Sequence, residues 1–196
     1  MSGTAINKND ARYLATQELL ESTFLELVRT EGFQKITVKR IVSEANLNRG
    51  TFYIHALDKY DLLDQIEDRI HKKMMLGVGD LESAQTAFDF TKLRESMMRT
   101  VNCVKENQDM IIMLMSDDCD PLFFEKYARK IKTVLFPDIT CLNVENQYVI
   151  ALMGSIIGGL FGEWIERGMK ESPEEYVDIV MKIIAKTTLP SLLREL

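Results

Sequence analysis

"TVKRIVSEANLNRGTFYIHALDKYDLL", residues 37–63, decides the reading of this chain. Three residues punctuate it. Thr37, Asn48 and Asp58 each carry a short side-chain oxygen that can satisfy the free amides of a helix start. Thr37 opens a helix over 38–44 with Val38, Ile41, Val42 and Ala45 on its inner face. Asn46 follows, where a chain leaving a helix needs the left-handed backbone that Gly supplies best and Asn next best. Leu47 tucks inward. Asn48 then caps a helix of barely more than a turn, 49–53, and Asp58 starts a long one through Leu62, Leu63, Ile66 and Ile70. Helix, tight turn and short helix make a helix-turn-helix.

The flanks agree with this. Leu20, Phe24, Leu27 and Val28 recur at helical spacing within 11–31, with Glu18, Glu21 and Glu26 expected on the outer face, and Gly32 ends that helix. Downstream, 77–83 reads as a loop and 84–106 as one or two helices. Residues 110–115 read as a buried helical segment, 122–136 as a helix, 137–143 as a loop and 145–167 as a long helix ended by Gly168. A last helix begins near Pro173 and runs to about Leu189, before Pro190. No strand-like alternation occurs. The expected fold is all-α: an N-terminal three-helix helix-turn-helix domain over 1–57, and a larger helical domain over 58–196 for regulation and dimerisation.

Charge is unevenly spread. The 196 residues carry a net charge of −6, which alone argues against a polyanion partner. Within 34–55, however, Lys35, Lys39, Arg40 and Arg49 face Glu44 alone, a local excess of three positive charges. A basic patch on a small N-terminal unit points to nucleic acid at that end.

Composition narrows the class further. Apolar residues make up 46% and charged residues 28%, as in ordinary folded proteins. The three cysteines form no metal-like spacing, and the polar start lacks a signal-peptide core, so a reducing cytoplasm is expected. The most apolar run, 148–162, is shorter than the roughly 17–25 residues of a membrane span. Only His55 and His71 are available for acid–base or metal chemistry, and Glu67 with His71 at i,i+4 reads as a surface ion pair. Phosphate-loop, nucleophile-elbow and dinucleotide motifs are all missing, so no enzyme, metal or cofactor is expected.

The stretch "GFQKITVKRIVSEANLNRGTFYIHALDKYDLL" resembles the DNA-binding domain of the tetracycline-repressor (TetR/AcrR) family of bacterial transcription regulators. The likeness covers roughly 11–65 and rests on Gly32-Phe33, Ile36-Thr37, Ile41, Ala45, Gly50-Thr51-Phe52-Tyr53, and Lys59 with Leu62-Leu63. Two positions depart from the family: Asn46 replaces a usual Gly, and Ala56 a bulky apolar residue whose place Leu57 could fill.

The resemblance implies DNA contact by Thr37, Lys39, Asn48, Arg49, Gly50, Thr51, Tyr53, His55 and Lys59. Arg49 is the base reader, because its fork matches guanine O6 and N7. Asn48 caps, reads a base, or both. Gly50 allows close approach. Lys39 can reach bases, while Arg40 serves a phosphate or the protein surface. Thr51, Tyr53, Lys59 and His55 match phosphate-holding positions, which set register. Phe52 packs inward.

One short helix reads too few base pairs, so a homodimer on a pseudo-palindromic operator is expected. Helix 145–167 is apolar over more than one face, with Gly154, Gly158 and Gly162 every four residues. A dimer seam through Gly154, Ile157, Gly158, Phe161, Gly162, Val180 and Ile184, or close packing inside the subunit, accounts for that pattern. The family further implies repression relieved by a small-molecule inducer, with Phe88, Met97, Val101, Met110, Met113, Phe124, Tyr127 and Trp164 as candidate lining or simply core. The alternative is the same fold acting as an activator or answering to a protein coregulator.

Overall fold

A computed structural model describes residues 10–76, 78, 90–116, 118–135 and 144–186. The expected loops over 77–83 and 137–143, Phe88, and the chain beyond 186 lie outside those residues, apart from Val78. Helices α1 (Ala11–Glu31), α2 (Val38–Glu44), α3 (Arg49–His55), α4 (Lys59–Met75), α5 (Phe90–Glu106), α6 (Gln108–Leu114), α7 (Phe123–Leu135), α8 (Val144–Glu166) and α9 (Pro173–Lys186) follow in order, with a 3-10 turn at Phe33–Lys35. The fold is all-α.

The chain divides into two compact units. The first is Met1–Arg69 with Ser116–Cys119, and the second is Ile70–Met115 with Asp120–Leu196. The first unit runs past Leu57, where the sequence placed a boundary, because Leu62, Leu63 and Ile66 of α4 are buried in it together with Leu20, Phe24, Phe33, Ile41 and Phe52.

All three expected caps form. Thr37 Oγ1 accepts the Arg40 N–H at 3.2 Å, and Asn48 Oδ1 accepts the Thr51 N–H at 2.7 Å. Asp58 Oδ1 accepts the Tyr60 and Asp61 amides at 2.8 and 2.9 Å. Asn46 takes φ 52°, and Leu47 closes the turn by donating to Val42 O at 2.8 Å. These local choices fix the angle at which α3 leaves α2.

Two sequence expectations need correction here. Glu21 is not on the outer face of α1: it is buried, ion-paired with Arg69, and accepts a hydrogen bond from Gln17 at 2.8 Å. Leu57 does not turn in behind Ala56, since it is 78% exposed.

The 3-10 turn between α1 and α2 is held from two sides. Asp118 Oδ2 accepts the Phe33 N–H at 2.6 Å, and Lys59 Nζ donates to the carbonyls of Phe33 and Gln34 at 2.9 and 3.2 Å. Gly32 enters this turn at φ 84°, ψ 141°, a region of backbone space open essentially to Gly. A Cβ there would also stand 2.9 Å from Asp118 Oδ2. Gly32→Ala is therefore expected to cost about 1–3 kcal/mol, read as a lower urea midpoint at unchanged slope.

In the second unit, α7 packs on α8 and α5 on α9. Phe124 stacks on Phe161 with ring centroids 4.8 Å apart, and Trp164 stacks on Tyr176 at 4.4 Å. Ser172 and Glu175 cap α9 reciprocally: Ser172 N–H donates to Glu175 Oε2 at 2.8 Å and Glu175 N–H to Ser172 Oγ at 3.2 Å. Helix α8 contains a stretch, Gln147–Glu166, of 20 residues with mean hydropathy 1.6, long and apolar enough by length and composition to cross a membrane. The 15-residue run understated it. Val149, Ile150, Phe161 and Trp164 nonetheless turn that helix into the protein interior.

Candidate DNA-reading face and regulatory groove

Seven residues make α3, and its two sides differ sharply. Phe52 is fully buried and His55 nearly so. Asn48, Arg49, Gly50, Tyr53 and Ile54 are exposed. The Arg49 guanidinium has no hydrogen bond or ion pair among the described residues, and the same holds for the ammonium groups of Lys35 and Lys39. Arg40 differs. It pairs with Glu31 at 2.8 Å and Glu44 at 2.6 Å, and the hydrogen bonds with Glu44 and Glu31 strengthen its hold on its proton. Both ion pairs hold Arg40 against the protein surface.

Hydrogen-bond chemistry refines the other positions. Asn48 spends Oδ1 on the Thr51 amide, so only its Nδ2 donors face outward. A bidentate adenine contact needs both ends of the amide. Thr51 Oγ1 donates to the same Oδ1 at 3.2 Å, so its proton is already used, and a phosphate has none to give in return. Thr37 is exposed and its own hydroxyl proton remains available. Tyr53 is 55% exposed, with its ring held edge-on by Phe52 at 5.6 Å.

Lys59 and His55 depart most from expectation. Two of the three Lys59 donors serve the 3-10 turn, and its ammonium lies 4.4 Å from the Phe33 ring centroid. Only one donor remains for any phosphate. His55 is 8% exposed, stacked on Tyr13 at 4.1 Å, with Nδ1 2.9 Å from Gln17 Oε1. Gln17 donates from its amide nitrogen to Glu21 and Gln65, so its oxygen accepts and His55 Nδ1 carries the proton. The His55 side chain ties α3 to α1 and lies away from the exposed face on which a phosphate contact was expected. Burial lowers the His55 pKa below 6.5. The unfolded chain then binds the proton first, so stability is expected to fall as pH drops from 6.5 towards the depressed folded value. A His55→Gln variant should flatten that slope in urea titrations at several pH values.

The second unit offers a groove of about 620 Å³ between α7 and α8. Phe124, Ala128, Ile131, Ile150, Gly154, Ile157, Gly158 and Gly162 line it, with Glu125, Arg129, Lys132 and Glu166 among the polar residues there. Of the inducer-site candidates among the described residues, only Phe124 lines it. Val101, Tyr127 and Trp164 are buried in the core, Met97, Met110 and Met113 are half-buried elsewhere, and Phe88 lies outside the described residues. Tyr127 bonds with Thr100 at 3.3 Å, and burial raises its pKa.

The dimer candidates also separate. Gly154 packs inside the unit, where a Cβ would meet Ala128 Cβ at 3.4 Å, while Gly158 and Gly162 have nothing within 4 Å of theirs. Phe161, Val180 and Ile184 are buried within the protomer, the packing inside the subunit that the sequence left open beside a seam. Among the described residues, the large exposed apolar side chains on these helices are Val144, Tyr148 and Leu152 of α8, and Ile179 and Ile183 of α9. On each helix they are spaced i,i+4. Glu67 and His71, expected as a surface pair, are both buried, and His71 Nε2 lies 3.1 Å from Phe123 O. No cluster of three or more metal-ligating side chains occurs among the described residues.

Two family models match this chain. One, described as "Bacterial regulatory proteins, tetR family", spans 23–66, which holds α2, α3 and the buried start of α4. The other, "Transcriptional regulator C-terminal region", spans 91–186. The chain belongs to the TetR family of bacterial transcription regulators. A TetR regulator from Streptococcus agalactiae 2603V shares its fold with TM-score 0.63 at 19% identity, over 87% of this chain and 94% of that one. The SmeT–triclosan complex does so with TM-score 0.64 at 14% identity, over 87% and 90%. In sequence, the chain is 22% identical over 97 residues to the uncharacterized HTH-type transcriptional regulator YxbF of Bacillus subtilis (strain 168). That match covers 50% of this chain and 26% of YxbF. TetR-family membership accounts for the N-terminal basic patch in an otherwise acidic chain.

Ile54 and Asp118 were missed from sequence. The spacing of Ile54 from Gly50, i,i+4 on a short helix, was the readable signal for the first. Asp118 had none, because its partner lies 85 positions away.

Proposed function

We propose that this chain is a DNA-binding transcriptional regulator that places α3 in the major groove of duplex DNA and represses as a homodimer until a small molecule occupies its second unit. The outward face of α3 carries the reading. It sets an unpaired Arg49 beside Gly50 and Tyr53, with Lys39 exposed on α2. Arg49 reads guanine, Tyr53 and Thr37 hold phosphates, and Lys39 reaches a base or a phosphate. The regulator works in the cytoplasm, where its DNA is.

The groove between α7 and α8 supports the inducer part. Its volume of about 620 Å³ falls within the roughly 300–1,000 Å³ of small-molecule sites, and apolar residues dominate its walls. SmeT, a protein of this fold, has been solved in complex with triclosan. A thermal-shift screen of apolar compounds tests the inducer. A hit that raises the melting temperature and also weakens DNA binding supports it. A screen in which no compound does both removes it and leaves a protein coregulator as the signal.

Dimerisation rests on the exposed apolar residues of α8 and α9. A Leu152→Glu, Ile183→Glu double variant is expected to sediment as a monomer, keep its helical circular dichroism, and lose operator binding. A variant that remains dimeric would move the interface elsewhere.

A further inference from the structure

Ile54 is an outward residue of α3 with no polar side-chain atom, and it is 50% exposed. Its place on the helix is informative. Phe52 and His55 mark the buried side. At 3.6 residues per turn, Gly50 falls near the middle of the opposite arc, with Arg49 and Tyr53 to one side of it and Ile54 to the other. A base edge that approaches over Gly50 meets no Cβ there, and Ile54 stands one turn further along. Single exposed apolar residues are common on protein surfaces. Here Tyr53, Ile54, Leu57 and Tyr60 are all at least half exposed within eight residues, beside an unpaired arginine.

An isoleucine cannot read a hydrogen-bond pattern. In the major groove, the base pairs present donors, acceptors and one methyl group, that of thymine C5. Against the donor and acceptors of a G·C pair, the side chain would displace water and return no hydrogen bond. Against the methyl it buries apolar surface on apolar surface. We propose that Ile54 reads the C5 methyl of a thymine in each operator half-site, adding a T·A requirement beside the guanine contact of Arg49. This rests on the reading of α3 as the DNA-contacting helix and names part of what that helix recognises.

The test starts by selecting duplexes from a random library with the full chain. Each thymine of the enriched sequence is then replaced in turn by deoxyuridine, which removes one methyl and leaves every hydrogen-bonding group in place. Fluorescence anisotropy gives the affinities. One thymine per half-site is expected to weaken binding by about fourfold when demethylated, the value of one buried methyl group. Ile54→Ala protein should bind the thymine and uracil duplexes equally, and its half-exposed site should leave the melting temperature unchanged. Insensitivity of the native chain at every thymine overturns the assignment, as does a uracil penalty that persists undiminished in Ile54→Ala. Enrichment of a sequence with no methyl dependence removes this inference alone, whereas a chain that enriches no sequence removes the DNA reading with it.

Discussion

Arg49→Ala should sharply weaken operator recognition while leaving a folded dimer. A bidentate arginine–guanine contact is worth about 1–3 kcal/mol of discrimination, and a two-fold protein loses it at both half-sites. Operator affinity should therefore fall by at least about tenfold, and further if both contacts count in full. Arg49 is exposed and unpaired, so its removal opens no cavity and breaks no internal bond among the described residues. The melting temperature and sedimentation should stay those of the native chain. Arg49→Lys should not restore specificity, because an ammonium is a point charge without the planar fork. Combining Arg49→Ala with Tyr53→Phe should deepen the loss at constant stability. Unchanged operator binding in that double variant would displace α3 as the reading helix.

Phe52→Ala, three residues along, should act in the opposite way. Phe52 is fully buried in the first unit. Truncating a buried phenylalanine costs about 3–5 kcal/mol, a large share of the roughly 5–15 kcal/mol that holds a domain folded. The first unit should melt early in urea, with loss of DNA binding as a consequence. Tyr53→Phe, on the neighbouring residue, should shift stability by no more than about 0.5 kcal/mol. If Phe52→Ala were as stable as the native chain, α3 would have to sit with a different face inward, and the reading-face assignments would fall together.

Most of the first unit was legible in the sequence because its determinants are local. A helix cap acts over three residues and a left-handed turn over one, so Thr37, Asn46, Asn48 and Asp58 announced themselves. Amphipathic spacing likewise foretold the burial of Leu20, Phe24, Ile41 and Phe52. What escaped were choices between partners that periodicity cannot distinguish. Lys59 lay at a position of exposed type, yet its ammonium is drawn to two carbonyls and a ring supplied by residues 25 and 26 positions earlier. His55 had equal claim to a phosphate or to the interior, and Gln17, 38 positions away, decided for the interior.

The second unit was less legible for the same reason carried further. In α8, apolar residues occur on more than one face, so the helix by itself cannot say which face meets α7 and which is left outside. Phe161 was drawn to Phe124 and Tyr176, and Val180 and Ile184 turned inward as α9 packed on α5. Val144, Tyr148, Leu152, Ile179 and Ile183 remained as exposed apolar positions among the described residues. Likewise, the groove depends on the pairing of α7 with α8, and spacing along either helix does not reveal it.

The sequence by itself determined the helix order, the capped helix-turn-helix, the family, and the basic residues available to meet DNA, because short-range backbone chemistry and spacing are written in neighbouring residues. Only the tertiary structure decided which of those residues remain free to act. Side chains of the same type are distinguished by partners far away in the chain: Arg40 is neutralised by Glu31 and Glu44, His55 is sealed against Tyr13, and Arg49 is left open to solvent.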